Sequence, residues 1–276
     1  MAKRFKDQVV WITGGGSGIG RALALAFARE GATVAVSGRR EDRLAEVVAD
    51  LRAEGATGLA VPCNVTDEES VSKAVNTVVA ELGKLNVAVA NAGWSLAGRV
   101  ENLSAEQWRR QLDVNVVGLA TTARYAIPHL KATGGRLVLV GSVTSMLPTP
   151  GVGAYVASKF AVRGLGQTLS IELHGSGVSC TTIHPGYVQS EIAQVDNEGV
   201  FDAGREDRRP KKVMWTAERA AEVMVDAIAK RKREFVFTGH GKIGAFVGKH
   251  LPGLVYLAFT RSKLKRGIRR GSNESS

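Results

Sequence analysis

Val9-Val10-Trp11-Ile12-Thr13-Gly14-Gly15-Gly16-Ser17-Gly18-Ile19-Gly20 leads without interruption into the helical run Arg21 to Glu30. A short apolar run, a glycine cluster and an alanine- and leucine-rich helix make a strand–turn–helix unit. Glycines at the junction permit a tight turn and a close approach of the backbone to whatever lies above it. A glycine-rich turn alone fits a flexible loop; its position after a strand and before a helix gives it meaning.

Outward from this unit the pattern repeats. Further apolar runs occur at Thr33 to Ser37, Gly58 to Pro62, Val87 to Ala90, Arg136 to Val140 and Val178 to His184, with a weaker one at Glu234 to Phe237. They are rich in Val, Leu and Ile, as expected of strands buried on both faces of a parallel sheet. Helical segments separate them. Thr66 with Glu69, and Ser104 with Gln107, match the spacing of a capping box. Six to seven strands joined by helices imply a single Rossmann-like, doubly wound α/β sheet over residues 1–238, followed by a basic and apolar C-terminal extension over 239–276. The stretch from Pro185 to about Trp215 reads as one long loop, a length that usually marks a functional cover or disorder.

Composition fits this reading. The 276 residues are 44% hydrophobic and 23% charged with 32 glycines, which excludes collagen, coiled coil and a wholly disordered chain. Cys63 and Cys180 lie far apart without metal-ligand spacing, so no disulfide framework or metal site is expected, and a reducing, cytoplasmic location is. The net charge of +11 is uneven. From Lys230 onward there are twelve Lys/Arg against two acids, whereas the preceding residues are nearly balanced. A neutral body with a basic tail argues against a nucleic-acid surface, and no recognition motif accompanies the charge. No apolar run reaches the roughly 20 residues of a membrane-spanning helix, and the start of the chain lacks the apolar length of an export signal.

The N-terminus of the first helix offers free N–H groups and a positive dipole end to a pyrophosphate. The end of the second strand, where a carboxylate would bind ribose hydroxyls, instead reads Ser37-Gly38-Arg39-Arg40. Guanidinium suits phosphate, so NADP is favoured, with NAD as the alternative. Further along stand Ser142, Tyr155 and Lys159. Tyrosine and lysine at i and i+4 share a helix face, and a cation beside a phenol favours its ionised form. Alone, such a pair is ordinary packing beside a solvated charge.

The turn Thr13 to Gly20, the triplet Asn91-Ala92-Gly93, Asn115, Ser142 and Tyr155-Val156-Ala157-Ser158-Lys159 together resemble, in order and spacing, the short-chain dehydrogenase/reductase family, over roughly Lys6 to Phe237. The resemblance implies an oxidoreductase. Tyr155 would give or take the proton at the carbonyl or hydroxyl oxygen. Ser142 would hydrogen-bond that oxygen, Lys159 would hold the nicotinamide ribose, and Asn115 would anchor a water-linked relay. Gly14, Gly16, Ser17, Gly18, Ile19 and Gly20 would surround the pyrophosphate, and Gly38, Arg39 and Arg40 the adenosine ribose. Asn64 and Val65 would meet adenine. Pro185, Gly186, Val188 and Ser190 would lie at the nicotinamide. Asn64 stands where the family commonly has aspartate, though its amide oxygen can still accept. Ser17 stands where many NADP-preferring members carry a base, which keeps NAD open.

Candidate substrate-wall residues are Trp94, Leu96, Met146, Leu147 and Tyr187. Their apolar character favours a lipophilic ketone or secondary alcohol over a sugar. In the tail, Leu251 to Phe259 precedes Arg261, Lys263, Lys265, Arg266, Arg269 and Arg270, a composition suited to the surface of an anionic membrane; packing on the body or a partner subunit is the alternative. By resemblance a homodimer or homotetramer would form through helices Ala105 to Leu130 and Val152 to Leu173. A non-catalytic dinucleotide-binding regulator is the rival reading. It would need the glycine turn but not Ser142, Tyr155, Lys159 and Asn115 together.

Overall fold

The computed structural model describes residues 3–202, 204–207 and 209–261. Its strands are β1 (Val9–Thr13), β2 (Thr33–Gly38), β3 (Gly58–Pro62), β4 (Val87–Ala90), β5 (Arg136–Val140), β6 (Ser179–His184) and β7 (Glu234–Val236). All pair in parallel, in the order β3-β2-β1-β4-β5-β6-β7. The chain winds outward from β1 through β2 to β3, then crosses to β4 and winds the other way. The crevice for a ligand opens where the winding reverses, above the ends of β1 and β4.

Strand side chains alternate between two cores. Val10 and Ile12 join α1 (Gly18–Arg29), α2 (Glu41–Ala53) and α7 (Ala217–Ala229) on one face. Val9 and Trp11 join α3 (Glu68–Leu82), α5 (Gly118–Thr133) and α6 (Gly153–Glu172) on the other. Burying each Val, Leu or Ile contributes about 1.5–3 kcal/mol, so continuous apolar strands are stable only inside such a three-layer arrangement. The fully buried Trp11 satisfies its indole N–H on Ser37 Oγ at 2.9 Å.

Several local expectations shift. The cap of α3 is Asp67 and not Thr66: the Asp67 carboxylate accepts from the N–H groups of Glu69 (3.0 Å) and Ser70 (3.3 Å), while the Thr66 hydroxyl turns to Asn64 Oδ1. Ser104 and Gln107 do form a capping box, at the start of α4 (Ala105–Leu112). The helix expected to run from Ala105 to Leu130 is interrupted by a π-helical turn, Asp113–Val117, and then continues to Thr133. As an edge strand, β3 is largely open to solvent, with only Val61 buried. The loop from Pro185 to Trp215 doubles back on itself through bridges Val188 to Trp215 and Val195 to Phe201 and holds two short 3-10 turns.

The extension begins as α8 (Gly239–His250), which packs on the Val143–Ser145 turn and β7, and bends into α9 (Pro252–Arg261). Gly248 lies so close to the Met146 carbonyl that any Cβ would collide with it. The start of the extension is therefore built into the body. Of the tail cations, Lys263, Lys265, Arg266, Arg269 and Arg270 lie outside the described residues.

Candidate active site

Over the carboxyl ends of the strands lies a cleft of about 750 Å³. At its floor, Gly18 has φ +50°, in the left-handed region, and a Cβ there would approach Ser190 Cβ to 3.0 Å. Gly20 faces the Gly14 carbonyl so closely that no side chain fits between them. These contacts make a turn only glycine can form, with the α1 N-terminus behind it. Asn91 locks the turn to β4, its Nδ2 donating to the carbonyls of Thr13 (3.0 Å) and Gly14 (3.1 Å).

The cofactor candidates Gly14, Gly16, Ser17, Gly18, Ile19, Gly20, Gly38, Arg39, Arg40, Asn64, Val65, Asn91, Ala92, Gly93, Pro185, Gly186, Val188 and Ser190 all line this one cleft. At the β2 end, Arg39 is exposed and has no hydrogen-bond or ion-pair partner among the described residues, whereas Arg40 reaches across to Ser17 and Glu191. Asn64 differs from expectation. Its Oδ1 already accepts from the N–H (3.3 Å) and hydroxyl (3.0 Å) of Thr66, so the acceptor foreseen for adenine is spent on the turn before α3.

The reactive end is built by α6. Tyr155 and Lys159, one turn apart, face the cleft together with Ser142 at the end of β5. The Ser142 hydroxyl accepts from Thr144 N–H at 3.2 Å and acts on the neighbouring Tyr155 phenol. Lys159 Nζ donates to the Val140 carbonyl at 2.9 Å and lies 5.6 Å from the centre of the Tyr155 ring. Desolvation pushes the phenol above its ordinary value, while the Ser142 hydrogen bond and then the Arg209 charge pull it back. Burial takes Lys159 down to about 8. Arg209 is thus a cation that lowers Tyr155, while burial lowers Lys159 itself.

Asn115 sits inside the π turn, fully buried, beneath the wall rather than on it. Its side chain is consumed: Oδ1 accepts from Trp94 N–H, and Nδ2 donates to the Trp94 carbonyl and Ser158 Oγ. Both ends of the amide are thus engaged in holding the wall above it. π turns recur at functional sites because they release a backbone carbonyl from the helical ladder.

Of the wall candidates, Trp94 lines the cleft. Leu96 is fully buried with Trp94 and Ala154, Met146 is buried under α8, Leu147 meets α8 at Gly244, and Tyr187 stacks on His240 with ring centres 5.5 Å apart. These four sit behind or beside the cleft. Sequence reading missed Arg43, Glu191, Phe201 and Arg209, which do line it. Arg43 was findable, three residues after Arg40 at the start of a helix; the other three come from a loop without periodicity. Arg209 is pinned by the carbonyls of Val188 (3.1 Å) and Ser190 (2.9 Å) and by Asp207 (2.8 Å).

Behind Ser142, His184 is fully buried, its Nδ1 2.9 Å from Ser145 Oγ and its Nε2 3.1 Å from Glu234 Oε1. That hydrogen bond and a second from Arg163 hold Glu234 down at about 2.

Comparisons with known proteins agree with this geometry. The family model for short chain dehydrogenase matches residues 8–200. The chain is 36% identical over 192 residues to a 3beta-hydroxysteroid dehydrogenase of Mediterraneibacter gnavus, covering 69% of this chain and 70% of that protein. It is 34% identical to a cyclohexanol dehydrogenase of an Acinetobacter species, covering 70% and 77%. A solved short chain dehydrogenase/reductase from Burkholderia phymatum in complex with NAD superposes with a TM-score of 0.79 at 29% identity, covering 88% and 92%.

Proposed function

Belonging as it does to the short chain dehydrogenase family, the chain is an NAD(P)-dependent oxidoreductase, and we propose that it transfers hydride between NADP and a lipophilic ketone/secondary alcohol pair, with Tyr155 as general acid/base. The observation that carries the reading is the convergence of Ser142, Tyr155 and Lys159 in the same cleft as the glycine turn. The cradle fits a dinucleotide: Gly18 and Gly20 let the turn close tightly on itself and on Ser190, and the turn lines the cleft at the α1 N-terminus, where a pyrophosphate is favoured. When bound, the nicotinamide supplies or accepts the hydride.

The remaining chemistry belongs to the chain. In reduction Tyr155 gives its phenolic proton to the carbonyl oxygen, and in oxidation the phenolate takes the hydroxyl proton. Ser142 hydrogen-bonds the same oxygen and stabilises the charge that develops there. Lys159 holds the ribose and lies beside the phenol. Arg39 and Arg40, with no carboxylate on β2 to oppose a 2′-phosphate, support NADP over NAD. An apolar substrate is supported by the lining of Trp94, Val114, Ile192 and Val195, and relatives named for a hydroxysteroid and cyclohexanol point the same way. The test is oxidation of NADPH and NADH, side by side, against steroid, alicyclic, long-chain and sugar carbonyls. Turnover confined to sugars, or to NADH, overturns the respective part.

We also propose a homo-oligomer, dimer or tetramer, through α4, α5 and α6. These helices and the π turn between them expose Val117 (54%), Phe160 (43%) and Ile171 (75%), and light scattering of an Ile171→Arg variant tests the contact. A third proposal is peripheral contact of the extension with the cytosolic face of an anionic membrane. Ile243, Phe246, Leu254 and Tyr256 are exposed on α8 and α9, ahead of the basic tail, and no single helix among the described residues is long and apolar enough to cross a bilayer. Cytoplasmic residence suits the two free, buried cysteines. Flotation with anionic against neutral vesicles tests the membrane contact.

A further inference from the structure

The carboxylate missing from the end of β2 arrives from the far side of the cleft. Arg40 Nη2 pairs with Glu191 Oε2 at 2.7 Å and donates to Ser17 Oγ at 3.2 Å. The Phe201 ring lies 5.3 Å from Arg40 Cζ and covers the guanidinium. Glu191 also acts on the charge of Arg43, whose direct partner is Glu46 at 3.0 Å. A loop residue 151 positions along the chain therefore puts its carboxylate among the cations at the end of the second strand.

We propose that Glu191 is a specificity-determining residue that occupies the place of the NADP 2′-phosphate, competing with it for Arg40. The inference rests on the reading of Arg40 as part of the phosphate site. Glu191 and Ser17 both take the Nη2 of Arg40, and a carboxylate and a phosphate are drawn to the same guanidinium charge. The two anions cannot share Arg40 without repelling each other. Binding NADPH thus requires Glu191 to leave, and the turn Glu191–Gln194 to unlatch from β2; binding NADH leaves the pair intact. The Arg40 and Glu191 side chains are 39% and 27% exposed, so water and salt weaken their pairing and a dianionic phosphate can displace it. The latch lowers the preference for NADP that the two arginines would otherwise give.

The experiment is fluorescence titration of the purified protein with NADPH and with NADH, for wild type, Glu191→Gln, Arg40→Ala and the double variant, each first checked for an unchanged melting temperature. Glu191→Ala serves as a second variant should the glutamine form fail to fold. Loss of the carboxylate is expected to tighten NADPH about five-fold, the scale of one partly exposed charge pair, and to shift NADH less than about two-fold. The gain should shrink at high salt and vanish in the Arg40→Ala background. If NADPH does not tighten, or both cofactors weaken alike, Glu191 merely braces its loop and the proposal is overturned. If Arg40→Ala itself leaves NADPH binding unchanged, the phosphate reading of Arg40 has failed and the inference goes with it.

Discussion

Asn115 clasps the main chain of Trp94 from both sides, its Oδ1 accepting from the Trp94 N–H at 3.1 Å and its Nδ2 donating to the Trp94 carbonyl at 3.0 Å. Gln111, four residues earlier, donates to the same carbonyl and accepts from Leu96 N–H at 2.7 Å. Both side chains are fully buried. Together they fix the segment that follows Asn91-Ala92-Gly93, from which Trp94 lines the cleft. Replacing Asn115 by Ala leaves the Trp94 N–H without that acceptor, at about 1–3 kcal/mol for a buried group. Thermal unfolding of Asn115→Ala is expected to shift down accordingly, with turnover reduced more than cofactor binding. An unshifted melting curve would remove the structural role given to this amide.

Tyr155→Phe removes only the phenolic oxygen and keeps the ring that Lys159 faces. General acid/base groups contribute about 10²–10⁴-fold, so turnover should fall by at least about a hundred-fold while NADPH affinity stays within about two-fold. Steady-state kinetics beside cofactor titration measures both. Near wild-type turnover sinks the proton-transfer role.

The sheet was readable because each strand of the doubly wound core is a short apolar run between helices, whereas the order of its strands is set by pairing across the sheet. The turn from Thr13 to Gly20 and the pair Tyr155 and Lys159 were readable for the same reason: the spacing is local. What was hidden depends on distance or on competition between neighbours. Asp67 takes the α3 cap because it sits one residue nearer the N–H groups than Thr66, which Asn64 occupies. Arg209 and Glu191 come from a loop whose path no periodicity encodes. The interruption of α4 and α5 by a π turn left no mark in composition.

Arg39 and Arg40 stand together in the chain but differ in what holds them. Arg40 is engaged by Ser17 and Glu191; Arg39 is exposed and without a partner among the described residues. Its guanidinium is therefore free to meet a phosphate with no internal rival. Arg39→Ala is expected to weaken NADPH by about ten-fold, as befits a hydrogen bond to a charged group, and NADH hardly at all. Equal losses for both cofactors, read by titration, would take Arg39 out of the phosphate site.

Glu234 ties β7 to the buried His184 behind the catalytic serine, and its pKa is held down at about 2 against an ordinary 4.5. A carboxylate with a depressed folded-state pKa adds stability that is complete above its unfolded value and is lost as pH falls through the folded one. Wild type should therefore lose stability between about pH 4.5 and 2, and Glu234→Gln should show a flatter acid limb there. The group is partly exposed, so the difference is modest and shrinks with salt. Urea midpoints at descending pH test it, and parallel curves for the two proteins would refute it.

Arg209 is a cation that lowers the Tyr155 pKa, while its guanidinium also holds the carbonyls of Val188 and Ser190. Removing the charge in Arg209→Gln should raise the phenol further. In oxidation, which needs the phenolate, the rising limb of kcat/KM against pH then moves to higher pH. In reduction, which needs the phenol, the falling limb moves the same way. Loss of loop anchoring alone would lower rates without moving either limb. Arg209→Lys keeps the charge and is expected to return the limbs toward wild type, so a profile that stays put in Arg209→Gln, or moves equally in Arg209→Lys, assigns Arg209 to the loop and not to the proton.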